Sequence, residues 1–427
     1  NSNRNSIFLS GESGLRVAHA STESEIGCEI QGSSVSKREH VDVAIIGAGI
    51  AGSALATALT NSGFSVHLID RSDKPLDTAR GDHIQPAMAP ILSRWGIWDS
   101  LLSAGGEKRF GTRWFDASHE HIVTIPVPEH QDCAPWFLFL NHEDIGRVLL
   151  ERAMDNGAQC TLGAKRWSFK RAKTCWHLSW ESLQGAKEIS CTMLVGADGT
   201  GSSVRSRLDI DIQRHRYQYP IAVLYGRQRT VPTKRTLDVH LTQDRMLSLI
   251  PRTGGGTKIG FPIAAEELPL WRDAPESHLH EQLREWCPTL DFETVAFGAI
   301  YPPVSQQSKA YEGEGAAVLI GDARHAMHPA RSMGMNTCFR VADQLAGMIT
   351  ELSSGFSEQQ VLPILRQFDR EFAKNLAPIL ADNHASGLQM DTISGDGFTD
   401  LTGQLRAASS RVEVMDAMGL KAAGLLA

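Results

Sequence analysis

The chain has 427 residues, 42% of them hydrophobic and 21% charged, and a formal net charge of −7, so it is long enough for two intertwined domains and too acidic, with no basic stripe, for a nucleic-acid binder. Its seven cysteines are an odd number without a CxxC pair, which excludes a disulfide framework or a cysteine zinc site and reads as reduced, cytoplasmic and metal-free.

Residues 1–39 are rich in Ser, Asn, Gly and Glu and carry no sustained apolar period, which reads as a disordered or processed leader. No secretory signal is convincing there, while an organellar transit remnant stays open. The long apolar run Val41 to Thr60 has the length of a membrane span, yet Asp42 and three glycines make it a buried strand followed by a helix. Gly47, Gly49 and Gly52 fall in GxGxxG spacing. In that arrangement the first glycine permits the tight turn, the second lets a pyrophosphate reach the backbone, and the third lets the helix pack on the strand. Ile50 and Ala51 open the helix. A second strand, Phe64 to Ile69, ends in Asp70, about 20 residues past the glycines, where an acid can accept ribose hydroxyls, and Arg71 follows it. Strand, glycines, helix, strand and acid together specify a dinucleotide site far better than the glycines alone.

The charged quartet Arg80 to His83 precedes a proline-started helix, and Arg80, whose guanidinium can bind a phosphate bidentately, reads either as a cofactor-phosphate partner or as a surface arginine. Short strands fill 107–140, a helix is expected over 143–156, and a strand meander over 160–192. The strand Met193 to Val195 breaks at Gly196, and Asp198 and Gly199 then sit at a strand end suited to touching the cofactor, although an Asp-Gly turn is common in any loop. From 219 to 263 the pattern alternates, and a helix over 277–287 and a strand over 292–297 follow. These features describe a mainly antiparallel insert between two halves of a nucleotide fold, a wall for a small substrate. Ala317 to Ile320 form another buried strand, broken at Gly321-Asp322. A loop through Pro329 and Gly334 then enters an amphipathic helix whose free N–H groups can face an anionic group. The remainder, 353–427, reads as helices, and its amphipathic last segment leaves peripheral membrane contact open while no integral span is expected.

GAGIAG with Asp70, GADGTGSSVR, and GDARHAMHP followed by GMN, in that order, resemble the group A FAD-dependent aromatic monooxygenases, the para-hydroxybenzoate hydroxylase family, over roughly residues 40–375. The resemblance implies one noncovalent FAD, NADPH or NADH as reductant, O2, and hydroxylation of a small aromatic or quinone-like substrate through a flavin C(4a)-hydroperoxide. It implies that Asp322 contacts the ribityl or pyrophosphate part, that the backbone of Gly334, Met335 and Asn336 faces the pyrimidine end of the isoalloxazine, and that Pro329 lies beside the ring. The His328-Pro329 pair resembles the ubiquinone-type hydroxylases. The expected fold is α/β: a Rossmann-type FAD-binding domain from 40–212 and 310–352, an inserted antiparallel substrate domain from 213–309, and C-terminal helices from 353–427, as monomer or homodimer. Since oxygen chemistry comes from the cofactor, no triad is expected, and His83, His325 and His328 are the candidates for proton handling.

Against the family pattern PxxGxGxNxGxxD, this chain carries Ser332, Cys338 and Val341 in place of two glycines and an acid. Ser332 matters most, because a loop glycine often supplies φ > 0, and a negative φ at Ser332 is the expected solution. A flavin halogenase would carry WxWxIP, and WGIWDS has the wrong spacing. An epoxidase, a reductase of a prenyl or polyketide substrate, and a non-catalytic flavin-binding module share the same motifs and remain rivals.

Overall fold

The computed structural model describes residues 39–74, 83–182, 185–229, 236–394 and 398–426. The proposed leader, apart from Glu39, and Arg80 lie outside the described residues.

The expected strand and helix around the glycines form as Glu39–Ile46 and Ile50–Asn61. Glu39–Ile46 runs at the middle of a seven-stranded sheet, parallel to Val66–Ile69 on one side and to Gly185–Gly196 on the other. Gln159–Thr161 extends the sheet beyond Val66–Ile69, and Ala316–Leu319 pairs in parallel with the last residues of Gly185–Gly196. The first half of Gly185–Gly196 instead pairs antiparallel with Trp176–Ser182, which carries Lys165–Arg171 at its edge. Parallel strands covered on both faces need continuous apolar runs, and Val43 to Ile46 and Met193 to Val195 supply them. Ile46 stands level with Ile69 and with Gly196, and Gly196 with Leu319. Three strand-to-loop exits and Asp70 therefore open on one carboxyl edge, where open α/β sheets bind their ligands.

A second seven-stranded sheet runs in the order Phe292–Tyr301, Ile221–Gln228, Gly256–Pro262, Met246–Pro251, Leu237–Leu241, Gly111–Phe115, His121–Pro126. All its pairings are antiparallel except that of Leu237–Leu241 with Gly111–Phe115. The two strands between 111 and 126, expected in the first nucleotide-binding segment, thus complete the sheet of the insert. One face of this sheet packs Leu247, Ile259 and Phe261 against Trp271 and Trp286. The other places Val223, Val239, Leu241 and Met246 with Ala330 of the loop before helix Met333–Ile349 and with Met390 and Leu405 of the C-terminal helices. The insert is therefore docked against the loop that follows Ala316–Leu319. Among the described residues no helix is long and apolar enough to cross a membrane, so the run from Val41 to Thr60 is resolved as the strand and helix expected.

Candidate functional site

Gly47 has φ 110°, and a Cβ there would lie 2.3 Å from the Ala197 carbonyl oxygen. A Cβ on Gly52 would lie 1.9 Å from the Gly47 carbonyl oxygen, so Gly52 is the close-packing glycine of helix Ile50–Asn61. Gly49 differs from both, since nothing lies within 4 Å of a Cβ built on it, and it is the N-cap of that helix with no side chain capping the free N–H groups. Asp70 is held rigidly, its Oδ2 accepting the Ala48 N–H at 2.7 Å and its Oδ1 the Ser72 N–H at 2.8 Å.

The second loop is built around Asp198, whose carboxylate accepts the Ser203 and Val204 N–H groups at 2.7 and 3.1 Å as well as the Ser202 hydroxyl. Asp198 thus ties down the first residues of the short helix Ser203–Arg207, whose N-cap is Ser202, its hydroxyl accepting the Arg205 N–H at 2.9 Å. Buried Arg205 donates to the Thr200 carbonyl at 2.9 Å and to the Ala323 carbonyl at 2.8 Å, tying this loop to the one that carries Asp322. Gln306 adds a bond from its Nε2 to the Asp322 carbonyl at 2.9 Å. Sequence reasoning missed Thr200, Arg205 and Gln306. Thr200 and Arg205 lie inside GADGTGSSVR and could have been read from it, whereas Gln306 sits in an unremarkable polar strand.

The third loop enters the helix Met333–Ile349. Ser332 is its N-cap, at φ 50° and ψ 35°, and Arg331 before it has φ 61°. The expected negative φ is therefore corrected: two consecutive non-glycine residues adopt the left-handed conformation. Contacts from distant chain hold Arg331, and one from the following helix turn holds Ser332. Arg331 pairs with Asp382 and donates to the Lys421 carbonyl at 2.9 Å, and the Asn336 amide donates to the Ser332 carbonyl at 2.8 Å. Ser332 makes no side-chain cap, so this helix start also keeps its N–H groups unmasked.

Both uncapped helix starts open into one cavity of about 760 Å³. Its wall includes Gly47, Gly49, Ile50, Ala51, Asp70 and Arg71 from the first unit, Asp198, Gly199 and Asp322 from the next two loops, and His328, Pro329, Gly334 and Met335 from the third. Ala299 and the segment from Tyr301 to Val304, at the end of the insert's sheet, also line it. Five expected site residues lie off this wall. Gly52 and Gly321 act by close packing, a Cβ on Gly321 falling 2.5 Å from that of Ala51. Asn336 is buried and latches the chain near His83, its Oδ1 accepting the Gln85 N–H at 2.8 Å and its Nδ2 reaching the His83 carbonyl at 3.2 Å. His83 is off the cavity wall because pairing with Phe137–Phe139 stacks its ring on Phe139, with centroids 5.1 Å apart. Burial, then the Arg331 charge, lowers its pKa to about 4. His325 is likewise buried, against Phe372. Of the three proton-handling candidates only His328 reaches the cavity. Burial, then the charge of His384, lowers its pKa to about 3.

The geometry fits an extended, doubly anionic dinucleotide. A Gly49 backbone open to close approach meets a helix N-terminus that can hold phosphate, and a second helix N-terminus opens into the same cavity. A family model described as an FAD binding domain matches residues 40–376. Among curated proteins, the chain is 25% identical over 354 residues to ubiquinone hydroxylase UbiM of Neisseria meningitidis, covering 80% of this chain and 75% of that one. It is 22% identical over 347 residues to 3-demethoxyubiquinol 3-hydroxylase of Escherichia coli, covering 79% and 87%. Among solved structures, p-nitrophenol 4-monooxygenase PnpA of Pseudomonas putida superposes with a TM-score of 0.77 at 16% identity, over 90% of this chain and 98% of that one.

Proposed function

Because the chain belongs to the FAD binding domain family, we propose that it is an FAD-dependent monooxygenase hydroxylating an aromatic or quinone-like small molecule, with O2 as oxidant and NADPH or NADH as reductant. The observation that carries this reading is the cavity itself, lined by two helix N-termini that lack a side-chain cap bond and by the end of the insert's sheet. FAD, when bound, supplies electron transfer and oxygen activation, leaving the protein to bind, orient and exclude water.

Gly47 to Ala51 would cradle the pyrophosphate, and Asp70 would accept ribose hydroxyls with Arg71 beside it. Gly199, Thr200 and Asp322 would hold the central part of the cofactor. The helix start at Gly334 and Met335 would stabilise negative charge at the pyrimidine edge of the reduced ring by roughly 0.3–2 kcal/mol. Pro329 and His328 would then face the substrate across from Tyr301 and Pro302. The relatives named ubiquinone hydroxylase and 3-demethoxyubiquinol 3-hydroxylase support a quinol or phenol substrate.

A panel of phenols and quinols tests the proposal. NADPH or NADH oxidation by the FAD-loaded protein should rise with at least one compound, consume O2, and yield a product heavier by one oxygen. FAD retention with oxidation indifferent to every compound would leave a flavin-binding module instead.

A further inference from the structure

We propose that the helix Val412–Ala422 and the residues just after it form a clasp that positions the start of helix Met333–Ile349 for the flavin, so that cofactor binding and order in this C-terminal segment are coupled. The inference rests on the flavin reading of the cavity and assigns a role there to a part of the chain that does not line it.

The loop before helix Met333–Ile349 cannot hold its own shape. Arg331 and Ser332 are both left-handed, at φ 61° and 50°, and no glycine stands between Pro329 and Met333 to take the turn. Such a conformation costs free energy and persists only where surrounding contacts hold it. For Arg331 those contacts lie 51 and 90 residues further along the chain: its guanidinium pairs with Asp382 and donates to the Lys421 carbonyl at 2.9 Å. The Lys421 ammonium pairs with the same Asp382 carboxylate. Arg331, Asp382 and Lys421 thus close a triangle, and with the Asp382 side chain only 14% exposed its charges are screened less than those of a surface pair.

The rest of the segment grips the same helix start. A helix leaves its last carbonyls without partners from its own turns, and its C-terminal end is electronegative. Here the Ala87 N–H donates to the Ala423 carbonyl at 3.0 Å and Arg340 donates to the Gly424 carbonyl, so two guanidinium groups, those of Arg331 and Arg340, stand at that end. Gly424 sits at φ 81°, where a Cβ would lie 2.6 Å from Gln85 Oε1. Gln85 is in turn tied to the helix start by Asn336 at 2.8 Å. Arg331 and Arg340 bracket Gly334 and Met335, which line the cavity, while Arg331, Arg340, Asp382 and Lys421 do not. The clasp therefore acts through backbone position. On the insert's side, a Cβ on Gly419 would lie 3.1 Å from the Pro126 carbonyl oxygen, and Arg406 of the preceding helix Thr399–Ser409 pairs with Asp116. The segment thus joins the edge of the insert's sheet to the loop. If its order favours the bound form of that loop, FAD must favour its order by the same factor.

FAD titration and amide hydrogen exchange on the full chain test the clasp. Arg331→Ala removes the contacts and keeps the strain of the left-handed turn, whereas Arg331→Gly removes both. FAD affinity should fall about tenfold in Arg331→Ala and return to within about threefold of the parent in Arg331→Gly. Asp382→Asn, which leaves Arg331 in place, should weaken binding in the same direction as Arg331→Ala. In the parent, FAD should slow exchange across residues 412–426, and both Arg331 variants should lose that protection. Equal losses of affinity in Arg331→Ala and Arg331→Gly overturn the proposal, because they make the arginine's charge and not the turn the source of the effect. Unchanged affinity in both Arg331→Ala and Asp382→Asn overturns it, as does exchange across 412–426 that FAD leaves unaltered in the parent. Each of those results leaves FAD binding by the parent intact, whereas a parent that takes up no FAD overturns the flavin reading together with the clasp.

Discussion

Asn383 and His328 exchange two hydrogen bonds across the base of the cofactor loop: the Asn383 Oδ1 accepts the His328 backbone N–H at 2.9 Å, and the Asn383 Nδ2 donates to the His328 carbonyl at 2.9 Å. The same Nδ2 reaches the Ala330 carbonyl at 3.1 Å. A side chain from the long helix Glu358–Met390 thus does for this loop what a neighbouring strand would do. Asn383 is 1% exposed, so no water replaces it readily. Asn383→Leu should therefore destabilise the protein by about 3 kcal/mol, since it strands one donor and two acceptors. Thermal unfolding and flavin retention measure the effect, and an unchanged melting temperature would refute the bracing role.

Ser332 supplies a second expectation. A left-handed serine costs about 1 kcal/mol relative to glycine, and its carbonyl bond from Asn336 does not depend on its side chain. Ser332→Gly should relax the loop and tighten FAD binding roughly a few-fold, by about 1 kcal/mol. Flavin titration decides the point. Weaker binding would mean that the hydroxyl itself touches cofactor or substrate.

The contrast between Ser332 and Gly47 shows what could be read from the chain. Gly47, Gly49, Gly52 and Asp70 were legible because a strand, a turn and a helix start are local, and their spacing carries the geometry. The backbone at Ser332 was not legible, because Asp382 and Lys421, far along the chain, fix Arg331 beside it. His83 failed for a similar reason: its pairing with Phe139 turns the ring from the cavity, and nothing local to ARGDHIQP encodes that partner. The strand Gly111–Phe115 was recognisable as a strand, but its membership in the insert's sheet depends on a parallel pairing with Leu237–Leu241, over a hundred residues on.

Buried histidines give a pH dependence. Burial lowers His67, His83, His240 and His325 to about 4 and His328 to about 3, from an ordinary 6.5. Between those values the unfolded chain binds protons that the folded one refuses. Stability is therefore complete above pH 6.5 and falls as the pH drops toward 4. His240, stacked on Phe115 with centroids 4.5 Å apart and with neither ring nitrogen partnered, isolates one share of the effect. His240→Phe should keep the stack and remove on the order of 3 kcal/mol of the loss between pH 6.5 and 4. Chemical unfolding at several pH values reads this directly, and an identical slope in the variant would rule out burial as its cause.

The first two roles of the glycine loop can be separated by a pair of alanines. At Gly47 the chain is at φ 110° and a methyl would lie 2.3 Å from the Ala197 carbonyl oxygen, so Gly47→Ala must displace backbone whether or not a cofactor is bound. It should cost several kcal/mol of stability, of the order seen when strain and overpacking coincide. At Gly49 the chain is at φ −71° and ψ −174°, which alanine adopts freely, and nothing lies within 4 Å of the added methyl. Gly49→Ala should therefore leave the melting temperature of the flavin-free protein within about 1 °C, an effect below roughly 0.5 kcal/mol. Yet the methyl would project into the cavity wall at the start of helix Ile50–Asn61, where the proposed pyrophosphate contact would lie. FAD affinity should fall at least tenfold, about 1.4 kcal/mol or more. Measuring flavin-free stability and flavin affinity on both variants keeps fold and ligand apart. Equal affinity in Gly49→Ala and the parent would show that the phosphates do not rest on this loop, whatever its glycine spacing suggests.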